Sequence, residues 1–202
     1  MDPILLTIAG NPENQDRGLI LGAGPRTLLC VADGAGGRSG GKEAAIMAVE
    51  FFRADHERLQ NHEDCLDLLR RMDAAMDHDP VAGETTFAMA LVTTEEIIVA
   101  SVGDSGIWLI PATGNWINLT VHQQRKPMIG SGDAKPAALR YPRFEGTLLL
   151  ATDGLLKYTS ADRIVETCRG QPANTAAQSL TELVKYPSGN YPDDVTLILM
   201  PL

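Results

Sequence analysis

The sequence predicts an α+β fold, organised as a single domain of residues 1–202. Apolar runs of strand length recur along the chain, and two of them form a predicted hairpin in its middle. Amphipathic helical patterns lie in separate blocks before and after that hairpin. Hydrophobic residues make up 44% of the 202 residues, which is enough for a sizeable core. We therefore expect a β core against which helices pack.

Short apolar runs bounded by turn residues indicate the strands. The first run, 4–9, is closed by Gly10-Asn11-Pro12. Runs 86–92 and 97–102 flank a short polar connection and are expected to pair as the hairpin. The other predicted strands are 19–21, 27–33, 107–110, 116–119, 147–151 and 195–200.

Helical periodicity is clearest directly after the 27–33 run. Ala44, Ala48 and Phe52 recur at helical spacing within 41–59. A second helix is expected through Leu66–Ala75, and two more helical patterns follow residue 164. The helices therefore lie on either side of the central strands in sequence.

Composition narrows the possible partners and environment. A formal net charge of -9 argues against nucleic acid, whose phosphates would repel the chain. No basic-then-apolar leader opens the sequence, and no apolar run is long enough to cross a bilayer, so a membrane partner is not expected. Three widely spaced cysteines, Cys30, Cys65 and Cys168, are typical of reduced thiols. These features predict a cytoplasmic protein.

The 27–33 run ends abruptly at Asp33 and continues into Gly34-Ala35-Gly36-Gly37. A strand end is a rigid position from which a carboxylate can be aimed into a site. Glycines beside it allow backbone carbonyls to approach a ligand closely. Carboxylate and carbonyl oxygens suit a hard divalent cation such as Mg²⁺ or Mn²⁺. Taken alone, however, Asp-Gly after a strand is more often a simple turn.

Further aspartates repeat this arrangement at the edges of other apolar strands: Asp104, Asp153 and Asp193. Strands that stack into one core can bring such ends together, and converging carboxylates repel one another unless cations neutralise them. His and Cys are not clustered, which favours an all-oxygen Mg²⁺ or Mn²⁺ site over zinc. No Ser-His-Asp or cysteine-nucleophile arrangement competes with this interpretation.

Residues 121–146 interrupt the strand and helix patterns with a long polar segment. In an acidic chain this segment is locally basic, with Arg125, Lys126, Lys135, Arg140 and Arg143. Long loops in compact domains often carry function. A solvated surface excursion and a substrate-contacting element both fit this composition.

The motifs in their order resemble the metal-dependent (type 2C) protein serine/threonine phosphatases, especially compact bacterial members. The resemblance rests on Asn14-Gln15-Asp16, Val31-Ala32-Asp33-Gly34-Ala35-Gly36-Gly37, Thr85-Thr86, Val102-Gly103-Asp104-Ser105, Ala151-Thr152-Asp153-Gly154-Leu155 and Asp193-Asp194-Val195-Thr196. It implies a four-layer α-β-β-α sandwich in which two central antiparallel sheets are flanked by helices. It also implies a phosphorylated protein substrate, with a cognate serine/threonine kinase as its counterpart.

The resemblance assigns roles to particular residues. Asp33 would bridge two Mn²⁺ or Mg²⁺ ions, assisted by the Gly34 carbonyl, and Asp153 and Asp193 would complete the site. Asp16 would act mainly through metal-bound water. Asp104 would bind a possible third, weaker ion, and the 121–146 segment would be the flap-like insertion that shapes substrate docking.

Some positions depart from the family pattern. The phosphate-binding arginine of the family falls at Asn11, and Arg38 and Arg17 are the nearest candidates to replace it. Many members carry glutamate at Gln15, arginine at Gly106, and some a histidine at Ala35. These departures leave two hypotheses: a phosphatase acting through metal-activated water, or a catalytically weak regulatory or binding module with the same fold.

Overall fold

Each run predicted as a strand forms one in the computed structural model, which describes residues 2–22, 25–35 and 40–202. The first sheet has the strand order β1-β10-β9-β6-β7, and all of its neighbouring strands are antiparallel. Its bounds are β1 Ile4–Ile8, β6 Gly106–Pro111, β7 Ile117–Asn118, β9 Gly146–Ala151 and β10 Val195–Pro201.

The second sheet has the order β2-β3-β4-β5-β8 and is also antiparallel throughout. Its bounds are β2 Asp16–Leu21, β3 Arg26–Asp33, β4 Phe87–Thr93, β5 Glu96–Val102 and β8 Ala137–Pro142. Strands β4 and β5 form the predicted hairpin.

Helices cover the outer face of each sheet. Helices α1 (Gly41–Asp55) and α2 (His62–Asp77) follow β3, while α3 (Asp153–Leu156), α4 (Ala161–Gly170) and α5 (Ala173–Glu182) precede β10. Helix α1 ends before the predicted residue 59, because a 3₁₀ turn, His56–Arg58, takes over. The Arg26 guanidinium, through Nη2, donates hydrogen bonds to the carbonyls of His56 and Leu59 and stabilises that turn.

The hydrophobic core forms three layers of contact, because both faces of the central strands are apolar. On β3, Leu28, Cys30 and Ala32 pack toward α1 and α2, whereas Leu29 and Val31 pack against the other sheet. Ile164 and Leu180 of α4 and α5 cover the first sheet. The architecture is therefore the expected four-layer α-β-β-α sandwich.

The polar 121–146 segment contains a strand that its composition did not predict. Strand β8 pairs antiparallel with β5 at the edge of the second sheet. Its residues are only partly buried, and Arg140 forms an ion pair with Glu96 on β5. Charged and partly exposed residues are common on edge strands, so this strand lacks the apolar signal on which sequence reasoning depends.

The inner part of the same segment is fixed by Asp73, a buried residue of α2. Its Oδ1 accepts hydrogen bonds from the amides of Gly130, Ser131 and Gly132, and its Oδ2 accepts one from Ala134. Four charge-assisted bonds to one carboxylate hold this turn firmly against the helix.

The cysteines and the helices can be compared with the expectations of reduced thiols and of no membrane-spanning segment. Cys30, Cys65 and Cys168 are buried and free, and burial raises the pKa of each thiol. No helix in the described part of the chain has both the length and the apolar character that crossing a bilayer requires.

Candidate active site

Five aspartates from distant parts of the chain line one cavity of about 280 Å³. They come from the end of β3, the β5–β6 turn, the start of α3 and the entrance to β10: Asp33, Asp104, Asp153, Asp193 and Asp194. Gly34 also lines the cavity. The structure therefore brings all of the predicted metal ligands to one cavity wall, whereas Asp16, predicted to act through metal-bound water, does not line it.

Asp16 lies just behind this wall. It is the first residue of β2 and stands directly opposite Asp33, the last residue of β3. Its side chain is buried, with 2% of the residue exposed, and Oδ2 accepts a hydrogen bond of 2.8 Å from Thr152 Oγ1. Since Thr152 precedes Asp153, this bond links the two sheets at the site.

The Asp33 backbone is held by the start of the β4 segment. Its carbonyl accepts hydrogen bonds from the Thr86 amide and the Thr85 hydroxyl, and its amide donates to Thr86 Oγ1. The Thr86 hydroxyl in turn bonds to Ser105 Oγ at 2.7 Å. Thr85 and Thr86 therefore fix the backbone of Asp33 at the cavity.

The backbone of Asp193 and Asp194, just before β10, packs closely against two glycines. A Cβ on Gly154 would collide with the Asp194 carbonyl, and a Cβ on Gly10 would collide with the Asp193 carbonyl. Only glycine permits such close backbone approach. The glycine of the Asp153-Gly154 motif is therefore needed to bring Asp153 and Asp193 into the same cavity.

Asp194 is the cavity-lining aspartate to which the sequence analysis assigned no role. Its Oδ1 accepts hydrogen bonds from the amides of Gly10 and Asn11, and its Oδ2 accepts one from the Gln15 amide. Asp194 thus fixes the loop that leads to Asp16. The doubled carboxylate at 193–194 was the available signal, but only the fold shows that Asp194 also binds this loop while both residues line the cavity.

Asp104 lies on the turn between β5 and β6 and forms an ion pair with Arg125, whose Nε is 2.7 Å from Asp104 Oδ2. Arg125 and its neighbour Lys126 also line the cavity. They belong to the 121–146 segment, for which the sequence left surface and substrate-contacting roles open.

Burial, and after it the repulsion between neighbouring carboxylates, raises the pKa of Asp16, Asp33 and Asp153 at this site. Burial, followed by the charges of Asp16, Asp153, Asp104 and Asp193, raises the pKa of Asp33 to about 10. Burial also raises the pKa of Asp16 to about 7, against a hydrogen bond from Thr152 that lowers it. The pKa of Asp153 is raised by burial and then by Asp104 and Asp193. Without cations, this site holds protons at neutral pH.

The donor set fits a divalent cation. Asp16 Oδ1 and Gln15 Oε1 are buried oxygens that have no hydrogen-bond partner within the described residues. The lining acids offer oxygen ligands alone, as Mg²⁺ and Mn²⁺ prefer. In the described ranges, no three Asp, Glu, His or Cys side chains converge closely enough to enclose one ion by themselves. An ion here would therefore use water molecules beside the carboxylates, which is usual for Mg²⁺.

Of the two predicted phosphate-binding arginines, Arg17 does not line the described cavity wall. Arg17 Nη1 donates to the carbonyls of Asn14 and Asp16. Arg38 lies outside the described residues. Asn11, at the position of the family's arginine, does line the cavity, but its Nδ2 donates to Asp193 Oδ1 at 3.2 Å.

The fold is shared with solved phosphatases. A point variant of a bacterial serine phosphatase has a TM-score of 0.86 at 21% identity, over 100% of this chain and 98% of that one. Serine/threonine phosphatase Stp1 from Staphylococcus aureus has a TM-score of 0.81 at 20% identity, over 100% and 94%. The catalytic domain of the phosphatase PstP, in complex with two manganese ions, has 0.77 at 17% identity, over 98% and 96%.

Sequence comparison gives the family. Among curated proteins, none matches the chain significantly. The family model described as Protein phosphatase 2C matches residues 7–185, a span that includes Asp16, Asp33, Asp104 and Asp153. The chain belongs to the protein phosphatase 2C family.

Proposed function

We propose that this protein is an Mg²⁺- or Mn²⁺-dependent phosphatase that removes phosphate from phosphoserine or phosphothreonine of proteins. One observation carries the proposal: Asp33 ends a rigid strand in a cavity that it shares with Asp104, Asp153 and Asp193. Membership of the protein phosphatase 2C family supports the reaction class. The structural relative PstP, in complex with two manganese ions, supports the choice of metal.

In this proposal, Asp33 would hold both ions, with the Gly34 carbonyl beside it, and Asp153 and Asp193 would complete their binding. When bound, the ions supply Lewis-acid activation of the phosphoryl group and of the attacking water. Asp16 acts from behind the wall, where its unpartnered Oδ1 can accept a hydrogen bond from water in the site. The hydrogen bonds from Thr85 and Thr86 hold the Asp33 backbone in place when the Asp33 carboxylate exchanges its proton for an ion.

The substrate is proposed to be a phosphorylated protein, and its counterpart a serine/threonine kinase. Within a single domain of residues 1–202, the 121–146 segment is the flap-like insertion, and its residues before β8 face the substrate. Its residues Arg125, Lys126 and Met128 line the cavity, which supports that role.

The test is hydrolysis of p-nitrophenyl phosphate and of a phosphothreonine peptide by the wild-type protein, with Mn²⁺, with Mg²⁺ and with EDTA. We expect turnover with either metal and none in EDTA. A protein that binds Mn²⁺ tightly without turning over either ester would instead be the weakly catalytic module, which the neutral Asn11 at the cavity favours. Turnover in EDTA would contradict both alternatives.

Asp104 is expected to affect turnover more than the binding of the first two ions. In calorimetric titration with Mn²⁺, Asp104→Ala should retain the tight binding events, while the rate of ester hydrolysis falls. The physical reason is that Asp104 is paired with Arg125 and lies on a turn separate from Asp33 and Asp153. Complete loss of Mn²⁺ binding in this variant would place Asp104 in the primary site and refute a third-ion role.

A further inference from the structure

The cavity wall has an uneven charge distribution. Five aspartates line it, whereas the described cavity-lining residues include two cations, Arg125 and Lys126. Divalent ions would neutralise the carboxylates, but a phosphoryl dianion also needs donors for the oxygens that do not face the ions. We propose, on the basis of the proposed function, that Arg125 and Lys126 form the phosphoryl-binding subsite of this cavity.

The backbone that carries this pair is tied at both ends. On one side, the Gly103 amide donates to the Gln124 carbonyl at 2.9 Å, and Gln123 Nε2 donates to the Ser105 carbonyl at 2.8 Å. On the other side, Ile129 and Thr85 exchange two backbone hydrogen bonds of 3.0 and 3.1 Å. Only four residues, 125–128, lie between these ties. The backbone of Arg125 and Lys126 is therefore held at the cavity, although the side chains of these two residues are exposed.

The same hydrogen bonds connect the subsite to the strand end that carries Asp33. Thr85, which pairs with Ile129, also donates from its hydroxyl to the Asp33 carbonyl. Beyond Ile129, the turn of residues 130–134 is held on the buried carboxylate of Asp73. The position of Arg125 and Lys126 relative to Asp33 is thus set by hydrogen bonds on both flanks.

The guanidinium of Arg125 can bind a phosphoryl group in addition to, or in place of, Asp104. Its side chain is 70% exposed, and its ion pair with Asp104 runs through Nε. Exposed ion pairs are weak. The two terminal nitrogens remain as donors for a bidentate contact with phosphoryl oxygens, which guanidinium geometry favours. Lys126 adds a second positive charge and has no carboxylate within ion-pair distance in the described part of the chain.

Other described candidates are committed elsewhere. The Asn11 amide donates to Asp193, and the Arg17 guanidinium donates to the Asn14 and Asp16 carbonyls. Asn11 is neutral and Arg17 does not line the cavity, so neither offers a cationic fork to a phosphate there.

The experiment compares Arg125→Gln and Lys126→Gln with Arg140→Gln. Arg140 is a matched control, because it lies in the same segment, is 68% exposed and is also paired with a carboxylate, Glu96, yet does not line the cavity. KM and kcat for p-nitrophenyl phosphate, the inhibition constant of inorganic phosphate, and Mn²⁺ affinity by calorimetry are measured for each protein.

We expect Arg125→Gln to raise both KM and the phosphate inhibition constant about tenfold or more, the usual effect of losing a charge-assisted contact. Lys126→Gln should raise them by a smaller factor, and Arg125→Lys should recover part of the loss. The kcat value and the two tightest Mn²⁺ affinities should stay close to wild type, and Arg140→Gln should resemble wild type throughout.

The proposal would be overturned if KM and the phosphate inhibition constant were unchanged in both Arg125→Gln and Lys126→Gln. It would also be overturned if Arg140→Gln raised these constants equally, because that result would indicate only a general electrostatic effect of the segment. If the wild-type protein shows no metal-dependent hydrolysis, the proposed function fails separately. The subsite is then tested by titrating inorganic phosphate into the Mg²⁺-loaded proteins and following its ³¹P signal. The same ranking of affinities is expected, and identical affinities would refute the subsite.

Discussion

Asp33→Ala is expected to abolish metal-dependent phosphate ester hydrolysis, with a loss of several orders of magnitude in kcat/KM. The reason is that Asp33 shares the cavity with Asp104, Asp153 and Asp193 and is the proposed common ligand of both ions. Removing it takes away the anchor for metal activation of the phosphoryl group and the water. The measurement is the initial rate with saturating Mn²⁺, together with Mn²⁺ binding by calorimetry.

Asp162→Ala serves as the control for this experiment. Asp162 lies in the first turn of α4, is exposed, and does not line the cavity. Its variant should keep wild-type rates and Mn²⁺ binding. If Asp33→Ala retained more than a few per cent of the wild-type rate, the central role of Asp33 would be wrong.

Asp33→Asn is expected to stabilise the metal-free protein, and the gain should grow with pH. The folded-state pKa of Asp33 is raised to about 10 from an ordinary value of 3.8, by burial first and then by Asp16, Asp153, Asp104 and Asp193. Between these values the folded wild type keeps a proton that the unfolded chain releases, so its stability falls as pH rises. Asparagine has no proton to lose at this position.

The size of the effect follows from the same linkage. One proton retained only in the folded state changes the stability by at most about 1.4 kcal/mol per pH unit. A change of 1 kcal/mol shifts Tm by roughly 2–4 °C in a chain of this size. In EDTA, we expect Asp33→Asn to melt several degrees above wild type at pH 8 and close to it at pH 4.5.

Two comparisons make this result specific. Asp162→Asn should show no such pH-dependent gain, because Asp162 is exposed on α4. Added Mn²⁺ should raise the Tm of wild type and not that of Asp33→Asn, because the ion stabilises only the protein that binds it. A gain that was the same at pH 4.5 and pH 8 would show that the raised pKa of Asp33 is not its cause.

Most of the fold could be predicted from sequence, because its central strands are apolar on both faces. Alternate residues of β3 pack against helices and against the other sheet, so the run 27–33 is almost continuously hydrophobic and easy to recognise. Strand β8 lacks this signal and was missed. Its pairing with β5 is the only feature that makes residues 137–142 a strand.

The candidate site divides in the same way. Asp33, Asp104 and Asp153 could be selected because each follows an apolar strand, which is a local property of sequence. The burial of Asp16 could not be predicted, because it results from pairing opposite Asp33 and bonding to Thr152 from the other sheet. Asp194 was equally hidden, since its partners Gly10 and Gln15 lie near the opposite end of the chain.

The sequence by itself therefore determined which residues are candidates for the chemistry of the site: strand-end aspartates with adjacent glycines, in an order that resembles the protein phosphatase 2C family. The tertiary structure alone decided which charges meet, placing Arg125 and Lys126, rather than Arg17, at the cavity. The physical reason is that strand ends and turns are determined by residues that are neighbours in sequence. The approach of one loop to another depends on backbone hydrogen bonds, such as those from Asp73 and Thr85, whose partners are distant in sequence.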